Sequence, residues 1–375
     1  MSLNEELDVT VFFCHQPSGK DQSESGFGVQ FTWDIPMFEG YRYRFLKNVS
    51  SKPSLNHFSG INNPEIPTLI ADEQFDAVVL NAWNYKSAWQ AMRACWQTGT
   101  LVMVRSDSHL HTQRSLMKRA GKSPLYRWFI PKLDACLPVG QWSRDYFFHY
   151  GAKPERTYIL PHVVDDQFFR SESAKLVPQR KILRSRWGIS DEAIVFLFVG
   201  KFVEKKRPLD FVAAVGEAAQ EGAEVAGLMV GDGLLRASCE ELVSANDFPI
   251  SFAGFLNQSE ITQAYVAADI LVLPSDGGET WGLVVNEAMA CGLPCFVSDK
   301  VGSGPDMIVA GETGYVFPLG DISRLKGLIK TVATSSALLD RMRRGARSKA
   351  GDYSVSVGVE RMLCVLREVK DRARN

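Results

Sequence analysis

Residues 274–294 read PSDGGETWGLVVNEAMACGLP, and this stretch decides the fold of the C-terminal half. It follows a short apolar run, Asp269–Leu273, which predicts a buried strand. Gly277, Gly278 and Gly282 predict a loop whose backbone can approach a ligand closely, and the apolar residues after Gly282 predict a helix. Backbone N–H groups at a helix start, together with the helix dipole, form an anion site. The stretch therefore predicts a strand, a glycine-rich loop and a phosphate-binding helix start.

Two glutamates stand eight positions apart in this stretch, Glu279 in the loop and Glu287 inside the helix. Glu287 can accept two hydroxyl hydrogen bonds, as a ribose diol requires. Glu279 is expected at the cleft mouth, where a sugar attached to a diphosphate would lie. The alternative is that Glu279 caps the helix and Glu287 lies on a solvated face. A carboxylate at the edge of an apolar face needs a partner, and this favours a binding role for Glu287, whose flanking residues are Val284, Val285, Ala288 and Met289.

A second cluster, Phe198–Pro208, reads FVGKFVEKKRP and directly follows the first strand of the C-terminal half. Lys201 and Lys206 fall in the loop at the carboxyl end of that strand, on the side of the expected cleft. Two cations there would stabilise a leaving diphosphate as its bond to the sugar breaks. A solvated basic turn explains this cluster equally well by itself. The two clusters together favour the functional interpretation.

Short apolar runs alternate with helix-period stretches along the chain, which predicts an α/β protein with parallel sheets covered by helices. Two doubly wound, Rossmann-like halves would enclose a cleft onto which the carboxyl ends of their strands open. We expect an N-terminal acceptor-binding domain over residues 1–170, a linker over 171–190, a C-terminal donor-binding domain over 191–350, and a helix over 351–375 that packs back on the N-terminal domain. The strands predicted in the N-terminal half are Val9–Cys14, Ala77–Leu80, Leu101–Arg105, Ala135–Val139 and Tyr158–Pro161.

The composition excludes several classes of protein. The 375 residues are 45% hydrophobic and 23% charged, as in an ordinary globular protein, and the net charge of −1 argues against a nucleic-acid partner. No apolar run approaches the roughly 18 residues that span a bilayer, and the polar Met1–Glu6 is not a secretory signal. The seven cysteines are scattered and show no zinc-ligand spacing. We therefore expect a cytoplasmic protein with reduced thiols.

The C-terminal half resembles the donor domain of retaining GT-B glycosyltransferases of the group-1 (family 4) type. The resemblance covers most of Ile194–Leu325 and rests on an ordered series of motifs rather than on one of them. It implies a GT-B fold of two Rossmann-like domains facing a cleft. The matching segments are Val199-Gly-Lys with Lys206, Val230-Gly-Asp-Gly, Phe252-Ala-Gly-Phe, Ala268-Asp-Ile-Leu-Val-Leu-Pro-Ser, Glu279 to Pro294, and Gly314-Tyr-Val-Phe.

The resemblance implies a role for each matching residue of the donor site. Glu287 would hold the ribose, and Glu279 would hold hydroxyls of the transferred sugar. The amides of Gly282 and Leu283 would bind the diphosphate. The further donor-binding candidates are Gly200, Gly278, Thr280 and Phe255, the last of them near the base.

The implied chemistry is transfer from a nucleotide-diphosphate sugar, as co-substrate, to a sugar or lipid-linked glycan acceptor, with retention of configuration by front-face attack. Lys206 would contact the phosphates. Lys201 stands where the family usually has an arginine, which keeps the charge but loses the bidentate fork. No Asp-x-Asp pair occurs in a strand-end loop, so we expect no metal and no other cofactor.

The N-terminal half matches the family less well, because the usual glycine pair after the first strand is missing. A polar loop from His15 leads instead to Gly26-Phe-Gly and to aromatic residues that either stack on an acceptor sugar or pack the fold, namely Trp33, Phe38 and Tyr41. His109 follows a predicted strand on the cleft side, near the place of a functional histidine in the family. It is expected to touch the donor sugar or the acceptor; capping of the next helix is the alternative, and His111 is a rival candidate.

Residues 111–132 mix six lysines and arginines with aromatic and apolar side chains. One interpretation is peripheral contact with anionic lipid at the inner membrane face, where a lipid-linked acceptor would lie. The other is a packed pair of surface helices with solvated lysines. Pro124 is expected to break any continuous amphipathic helix here.

Two alternatives to a glycosyltransferase stay open at this point. A nucleotide-sugar epimerase of the same fold would use carboxylates in the cleft for acid–base chemistry and would need no acceptor. A non-catalytic scaffold would retain only the nucleotide-sugar site. Intact Glu279, Glu287 and Lys206 speak against such a scaffold.

Overall fold

The computed structural model describes residues 7–16, 34–36, 38–112 and 116–374. The segment Gly26-Phe-Gly and Trp33 lie outside the described residues. In the N-terminal domain the strands pair in parallel as β1-β2 and β3-β4-β5. Its described elements are β1 (Thr10–Phe13), β2 (Arg42–Phe45), α1 (Ile66–Glu73), β3 (Ala77–Asn81), α2 (Lys86–Thr98), β4 (Leu101–Ser106), α3 (Leu116–Phe129), β5 (Ala135–Pro138) and α4 (Gln141–His149).

The C-terminal half is an alternating series of strands and helices. Its elements are α5 (Asp166–Leu176), α6 (Arg180–Arg186), β6 (Ile194–Val199), α7 (Pro208–Gln220), β7 (Val225–Val230), α8 (Arg236–Asn246), β8 (Ile250–Gly254), α9 (Ile261–Ala267), β9 (Ile270–Leu273), α10 (Leu283–Ala290), β10 (Cys295–Ser298), α11 (Gly304–Met307), β11 (Gly314–Phe317), α12 (Ile322–Ala333), α13 (Ser336–Gly351) and α14 (Val355–Arg374). Short 3-10 turns lie at Phe58–Gly60, Ile130–Lys132, Pro154–Arg156, Val177–Gln179 and Glu204–Lys206.

The C-terminal sheet is parallel, with the strand order β11-β10-β9-β6-β7-β8. Its central strands are apolar at almost every position, because helices cover both faces and each face forms its own hydrophobic core. The chain leaves β6 towards β7 and β8, then returns to β9 on the other side of β6. The carboxyl ends of β6 and β9 therefore form a topological switch point, where such sheets bind ligands. The α/β prediction is confirmed.

The predicted linker, 171–190, is not an irregular crossing. Most of it belongs to α5 and α6, which pack on the C-terminal domain. Phe169, Leu183 and Ile189 are buried in one of the two cores of that domain. Arg184 of this segment is itself buried and donates to the carbonyl groups of residues 191, 193 and 267.

The predicted strand Tyr158–Pro161 is not formed as a regular strand. A single bridge joins Thr157 to Cys136, after which the amides of Tyr158 and Leu160 donate to the carbonyls of Cys136 and Pro138 at 2.9 and 2.8 Å. The segment lies alongside β5 but does not form a continuous ladder with it.

A buried ion cluster joins α6 and α13 to the start of β9. Asp269 Oδ2 accepts hydrogen bonds from Arg184 Nη2 at 2.7 Å and from the amide of Val195 at 2.8 Å. Asp269 Oδ1 accepts from Arg180 Nη2 at 2.6 Å and also pairs with Arg343. Asp269 and Arg184 are each only 3% exposed. These donors compensate the buried negative charge of Asp269, and Asp269 in turn compensates the buried positive charge of Arg184. Without the carboxylate, the guanidinium of Arg184 would be a buried charge without compensation.

The C-terminal helix α14 packs on the N-terminal domain. Its buried residues Val365 and Val369 join a small core with Met103 of β4 and Leu137 of β5. At the surface, Tyr158 donates to Glu368 at 2.8 Å. The last helix of the chain thus contacts the first domain.

None of the helices within the described ranges is long and apolar enough to cross a bilayer.

The ion cluster gives a stability prediction. We expect Asp269→Ala to lower the free energy of unfolding by about 3–5 kcal/mol, because it leaves Arg184 buried without its carboxylate. The measurement is urea denaturation followed by circular dichroism. The control is Asp340→Ala, which removes a 58%-exposed carboxylate that pairs with Arg343 at 3.3 Å and should cost about 1 kcal/mol or less. Equal losses in the two variants would contradict the role given to Asp269.

Candidate active site

The switch point brings two loops of the C-terminal domain together. The 3-10 turn Glu204–Lys206 follows β6, and the loop Gly277–Glu279 follows β9. Lys206 Nζ forms an ion pair with Glu279 Oε2, and each side chain is 14% exposed. Two predicted catalytic residues, 73 positions apart in the chain, therefore face each other at the expected place.

Backbone contacts hold the same two loops in register. The amide of Asp276 donates to the carbonyl of Lys205 at 2.8 Å, and the amide of Gly278 donates to Asp276 Oδ1 at 2.7 Å. A Cβ atom at Gly200 would lie 3.6 Å from Cε of Lys206. The predicted residues Gly200 and Gly278 thus lie beside the Lys206–Glu279 pair.

The start of α10 requires a glycine. Gly282 has a φ of +95°, and a Cβ atom there would lie only 2.8 Å from Cδ2 of Leu273. The first N–H groups of a helix have no acceptor within the helix, so the amides here, Leu283 among them, can bind an anion. The side chain of Leu283 is 43% exposed and does not close the helix start off from the cleft.

Glu287 lies in α10, about one turn beyond the helix start at Leu283. Tyr265, a fully buried residue of α9, donates its hydroxyl to Glu287 Oε2 at 2.6 Å. Within the described part of the chain, Oε1 of Glu287 accepts no hydrogen bond. Burial raises the pKa of Glu287 to about 7, while the hydrogen bond from Tyr265 acts in the opposite direction. Glu287 is therefore neither an exposed surface residue nor a fully satisfied core residue.

Two other predicted residues, Lys201 and Phe255, lie at different distances from the Lys206–Glu279 pair. Lys201 is partly buried, and its pKa is lowered by burial and by the nearby charges of Lys205 and Lys206. Phe255 follows β8, the edge strand, which lies three strand positions from β9. At about 4.8 Å per strand, that places the ends of β8 and β9 about 14 Å apart. The assignment of Phe255 to the base stays a prediction.

A segment of the N-terminal domain lines the other side of the loop after β9. Thr280 donates its hydroxyl to Asp107 Oδ2 at 2.6 Å, and a Cβ atom at Gly277 would lie 2.9 Å from the carbonyl oxygen of His111. His109 is buried between these two contacts. The predicted donor residue Thr280 thus uses its hydroxyl for a contact between domains, and His109 lies in the segment that faces the donor loop.

Aromatic rings lie along this N-terminal wall. The ring centroid of Trp142 is 4.2 Å from that of His111 and 5.3 Å from that of His109. The predicted aromatics Phe38 and Tyr41 instead contact other rings on β1 and β2. Phe38 lies 5.3 Å from Phe13, and Tyr41 lies 5.9 Å from Tyr43. In the structure, Phe38 and Tyr41 therefore pack against other aromatic rings of the fold.

His162 lies at the boundary of the two domains. Arg105 donates to His162 Nδ1 at 3.1 Å, and because arginine has no acceptor, the proton of the neutral ring lies on Nε2. Burial and the positive charge of Arg105 lower the pKa of His162 to about 4. The carbonyl of His162 accepts from Asn286 at 3.1 Å, and Asn286 in turn accepts from the indole of Trp281 at 2.8 Å. A neutral histidine therefore connects β4 to α10.

The start of α4 is capped from the other domain. The amide of Gln141 donates to Asp306 Oδ2 at 3.1 Å, and the side chain of Gln141 donates to the carbonyl of Pro305 at 2.9 Å. A Cβ atom at Gly140 would lie 2.6 Å from the ring of Trp281, so only a glycine permits this approach. A carboxylate near a helix N-terminus is stabilising.

Comparison with known proteins agrees with this arrangement. Residues 179–349 match the family described as Glycosyl transferases group 1, and residues 3–168 match the family described as Glycosyltransferase Family 4. The chain is 32% identical over 342 residues to D-inositol 3-phosphate glycosyltransferase of Geodermatophilus obscurus, with 82% of this chain and 72% of the relative covered. The chain belongs to the group 1 glycosyltransferases.

This glycosyltransferase is also 26% identical over 277 residues to alpha-D-kanosaminyltransferase of Streptomyces kanamyceticus, covering 72% of the chain and 70% of the relative. Among solved structures, it resembles Anabaena HepE in complex with UDP, with a TM-score of 0.71, 16% identity and coverage of 96% and 91% of the two chains. A glycosyltransferase from Rickettsia africae gives a TM-score of 0.71 with 17% identity and coverage of 88% and 85%. The predicted family and the predicted GT-B fold are confirmed.

Several residues around the site of this glycosyltransferase were missed in the sequence. Tyr265, Asp107 and Asp306 each act on a predicted site residue or on the boundary between domains. Asp306 follows the glycine-rich stretch Gly302-Ser-Gly-Pro, whereas Tyr265 lies in no glycine-rich or charged cluster. Asp107 follows a predicted strand two residues before His109, and that position could have marked it as facing the cleft. Tyr265 and Asp306 have no comparable local signal.

The raised pKa of Glu287 predicts a pH dependence of donor binding. With a pKa of about 7, the carboxylate is mostly ionised at pH 8 and mostly protonated at pH 6, so we expect the affinity for a nucleotide sugar to fall about tenfold between them. Isothermal titration calorimetry with UDP-, GDP-, ADP- and dTDP-sugars measures this affinity at the two pH values. In the free protein the same shift makes stability fall as the pH rises from about 4.5 to about 7, because the folded state holds this proton more tightly.

Two variants separate this effect from other titrations. Glu287→Gln should bind more weakly at both pH values and lose the tenfold difference. Tyr265→Phe removes the hydrogen bond that lowers the pKa of Glu287, so the pH midpoint of binding should move upwards. A purely structural role of Tyr265 would weaken binding equally at all pH values and leave the midpoint in place.

Proposed function

We propose that this glycosyltransferase transfers a sugar from a nucleotide-diphosphate donor to a sugar or lipid-linked glycan acceptor, with retention of configuration and without a metal ion or other cofactor. The observation that carries the proposal is the Lys206–Glu279 pair at the switch point, beside the start of α10. A cation, a carboxylate and free helix amides are the groups that a diphosphate sugar requires at one place.

The named relatives support both substrates. HepE was solved in complex with UDP and with UDP-glucose, which supports a nucleotide-sugar donor. Other relatives are a D-inositol 3-phosphate glycosyltransferase and a 2-deoxystreptamine glucosyltransferase, which supports a polyhydroxylated ring as part of the acceptor. The relatives that are named by activity here, such as these two, are transferases, so we do not propose the epimerase or the scaffold.

The Lys206–Glu279 pair suggests how the donor binds. In the free protein each group neutralises the other in a partly buried place, where an unpaired charge would be costly. A diphosphate would replace Glu279 as the partner of Lys206, and Glu279 would then accept hydrogen bonds from the sugar hydroxyls. Glu287 would accept the two ribose hydroxyls, one of them at the oxygen that Tyr265 does not occupy.

In the proposed transfer step the bond between sugar C1 and the diphosphate oxygen breaks, and an acceptor hydroxyl oxygen forms a bond to C1 from the same face. The electron pair of the broken bond stays on the diphosphate, whose oxygen takes the acceptor proton. Lys206, Lys201 and the amides of Gly282 and Leu283 stabilise the charge that develops there. Contacts across the cleft, such as Thr280 to Asp107, favour exclusion of water and limit hydrolysis of the donor. A cytoplasmic location stays a prediction.

Thermal shift with the same four nucleotide sugars, in EDTA and in Mg²⁺, tests the donor site. One nucleotide class at about 100 times its dissociation constant should add about 2.7 kcal/mol of stability, equally in both buffers. Lys206→Met should remove most of this gain. Lys205→Met is the matched control, because this exposed neighbour carries the same charge but does not contact Glu279. Stabilisation only in Mg²⁺ would contradict metal independence, and no stabilisation at all would contradict the donor site.

Donor hydrolysis tests retention without knowledge of the acceptor. When the enzyme slowly transfers the sugar to water instead of the acceptor, an α-configured donor should first release the α-sugar. Proton NMR recorded before mutarotation identifies the anomer. Lys206→Met should lower this rate about 100-fold, since it removes a charge that acts mainly on the leaving group. Release of the β-sugar first would exclude a front-face mechanism.

A further inference from the structure

We propose that the outward face of α3 is a docking surface for anionic lipid. This helix has two apolar faces. One belongs to the core of the N-terminal domain, where Tyr126 is 6% exposed and Phe129 fully buried. Tyr126 packs edge-on against Trp83 at 5.6 Å between ring centroids. These contacts explain the inward face completely and leave the outward face without a structural role.

The outward face carries large apolar side chains in one line. Met117 is 84% exposed, Leu125 44% and Trp128 50%. Their spacing of eight and three residues places them on the same side of a helix, opposite Tyr126. The line is about 16 Å long at 1.5 Å per residue. We call Met117, Leu125 and Trp128 the outward stripe.

The helix runs without a break through Pro124, so the predicted interruption is wrong. Pro124 is exposed and lies on the same side as the stripe. A proline in a helix interior normally costs about 3 kcal/mol. Here the packing of Tyr126 and Phe129 in the core holds the helix through that position, and the stripe remains continuous on both sides of it.

Trp128 is held at the surface by two neighbours. Trp96 contacts it edge-on at 5.8 Å between ring centroids, and Lys132 Nζ lies 3.9 Å from the centre of its ring. The indole is therefore fixed with half of its surface exposed. An amphipathic ring flanked by a cation is the arrangement that favours the interface between lipid headgroups and acyl chains.

The positive charge around the outward stripe favours an anionic bilayer as its partner. Residues 111–132 contain six lysines and arginines and no acidic residue, although the whole chain has a net charge of −1. Arg127 and Lys132 are exposed beside Trp128, at the end of the stripe. Each basic residue near an anionic bilayer contributes about 1 kcal/mol. A second copy of the chain, docked by the same face, would instead bring two basic surfaces together.

The position of α3 in the chain suggests what the docking surface does. The helix follows closely after the segment that contains His109 and His111, and that segment lies along the donor loop. A bilayer held by the outward stripe would therefore contact the N-terminal domain, the domain that carries this segment. This inference needs no particular acceptor and stands apart from the proposed transfer reaction.

Vesicle co-sedimentation tests the surface. We expect the full chain to pellet with phosphatidylcholine vesicles that contain phosphatidylglycerol, and to stay in solution with phosphatidylcholine alone or in about 0.5 M NaCl. The double variant Met117→Ser/Leu125→Ser should bind at least about tenfold more weakly, because two apolar side chains no longer enter the bilayer. Arg127→Glu should bind more weakly at low salt only.

The matched control is Ile182→Ser in α6, which removes a 69%-exposed apolar side chain beside Lys181 and should leave vesicle binding unchanged. Thermal shift with nucleotide sugars shows whether each variant keeps its fold and its donor site, so loss of vesicle binding and loss of the proposed function are read separately. Three outcomes would overturn the proposal: no binding of the wild-type chain, equal binding to neutral vesicles, or equal loss in the Ile182→Ser variant. So would a dimer in sedimentation velocity that Met117→Ser/Leu125→Ser abolishes.

Discussion

The carboxylate of Asp269 is buried at the start of β9, where three arginines and one backbone amide surround it. Its own amide donates to the carbonyl of Val195 at 2.8 Å, while its side chain accepts from the amide of Val195 at 2.8 Å. These two bonds fix the register of β9 against β6. Because the strands are parallel, fixing their starts also fixes their carboxyl ends, where Lys206 and Glu279 follow. An ion cluster at one edge of the sheet thus determines which residues meet at the opposite edge.

Much of the C-terminal domain could be predicted from local sequence. Each strand is a short apolar run, and a glycine stands at the end of β6, β7 and β8. The stretches between the strands have the apolar spacing of helices, so the order of elements needed no distant information. Lys206 and Glu279 were predicted to share a site only because both follow strands of one parallel sheet, and the switch point brings them into contact. The helix start at Gly282 was predicted from its glycine and from the apolar residues after it. Local rules succeed here because the phosphate-binding geometry is itself local.

The features that the sequence did not reveal have a common physical cause. Arg184, within the predicted linker 171–190, is buried, and the carboxylate that compensates it comes from Asp269, 85 positions later. Similarly, Glu287 needs a hydrogen-bond donor, and the donor is Tyr265, on a different helix. Local sequence shows that a side chain is polar, but it does not show which distant residue forms an ion pair or a hydrogen bond with it. Pro124 shows the same for packing. A proline was expected to break the helix, but the buried aromatic residues Tyr126 and Phe129 hold the helix through that position.

Three consecutive residues after β9 connect the donor site to the N-terminal domain. Glu279 pairs with Lys206, Thr280 donates to Asp107, and Trp281 packs against the start of α4. A ligand that draws Glu279 away from Lys206 must therefore act on a backbone that also carries the contacts between the domains. Since Gly282 alone provides the positive φ at the end of this loop, the three residues cannot readily move independently of one another. In the proposed mode of donor binding, donor occupancy and closure of the cleft would therefore be coupled through this short, glycine-bounded segment.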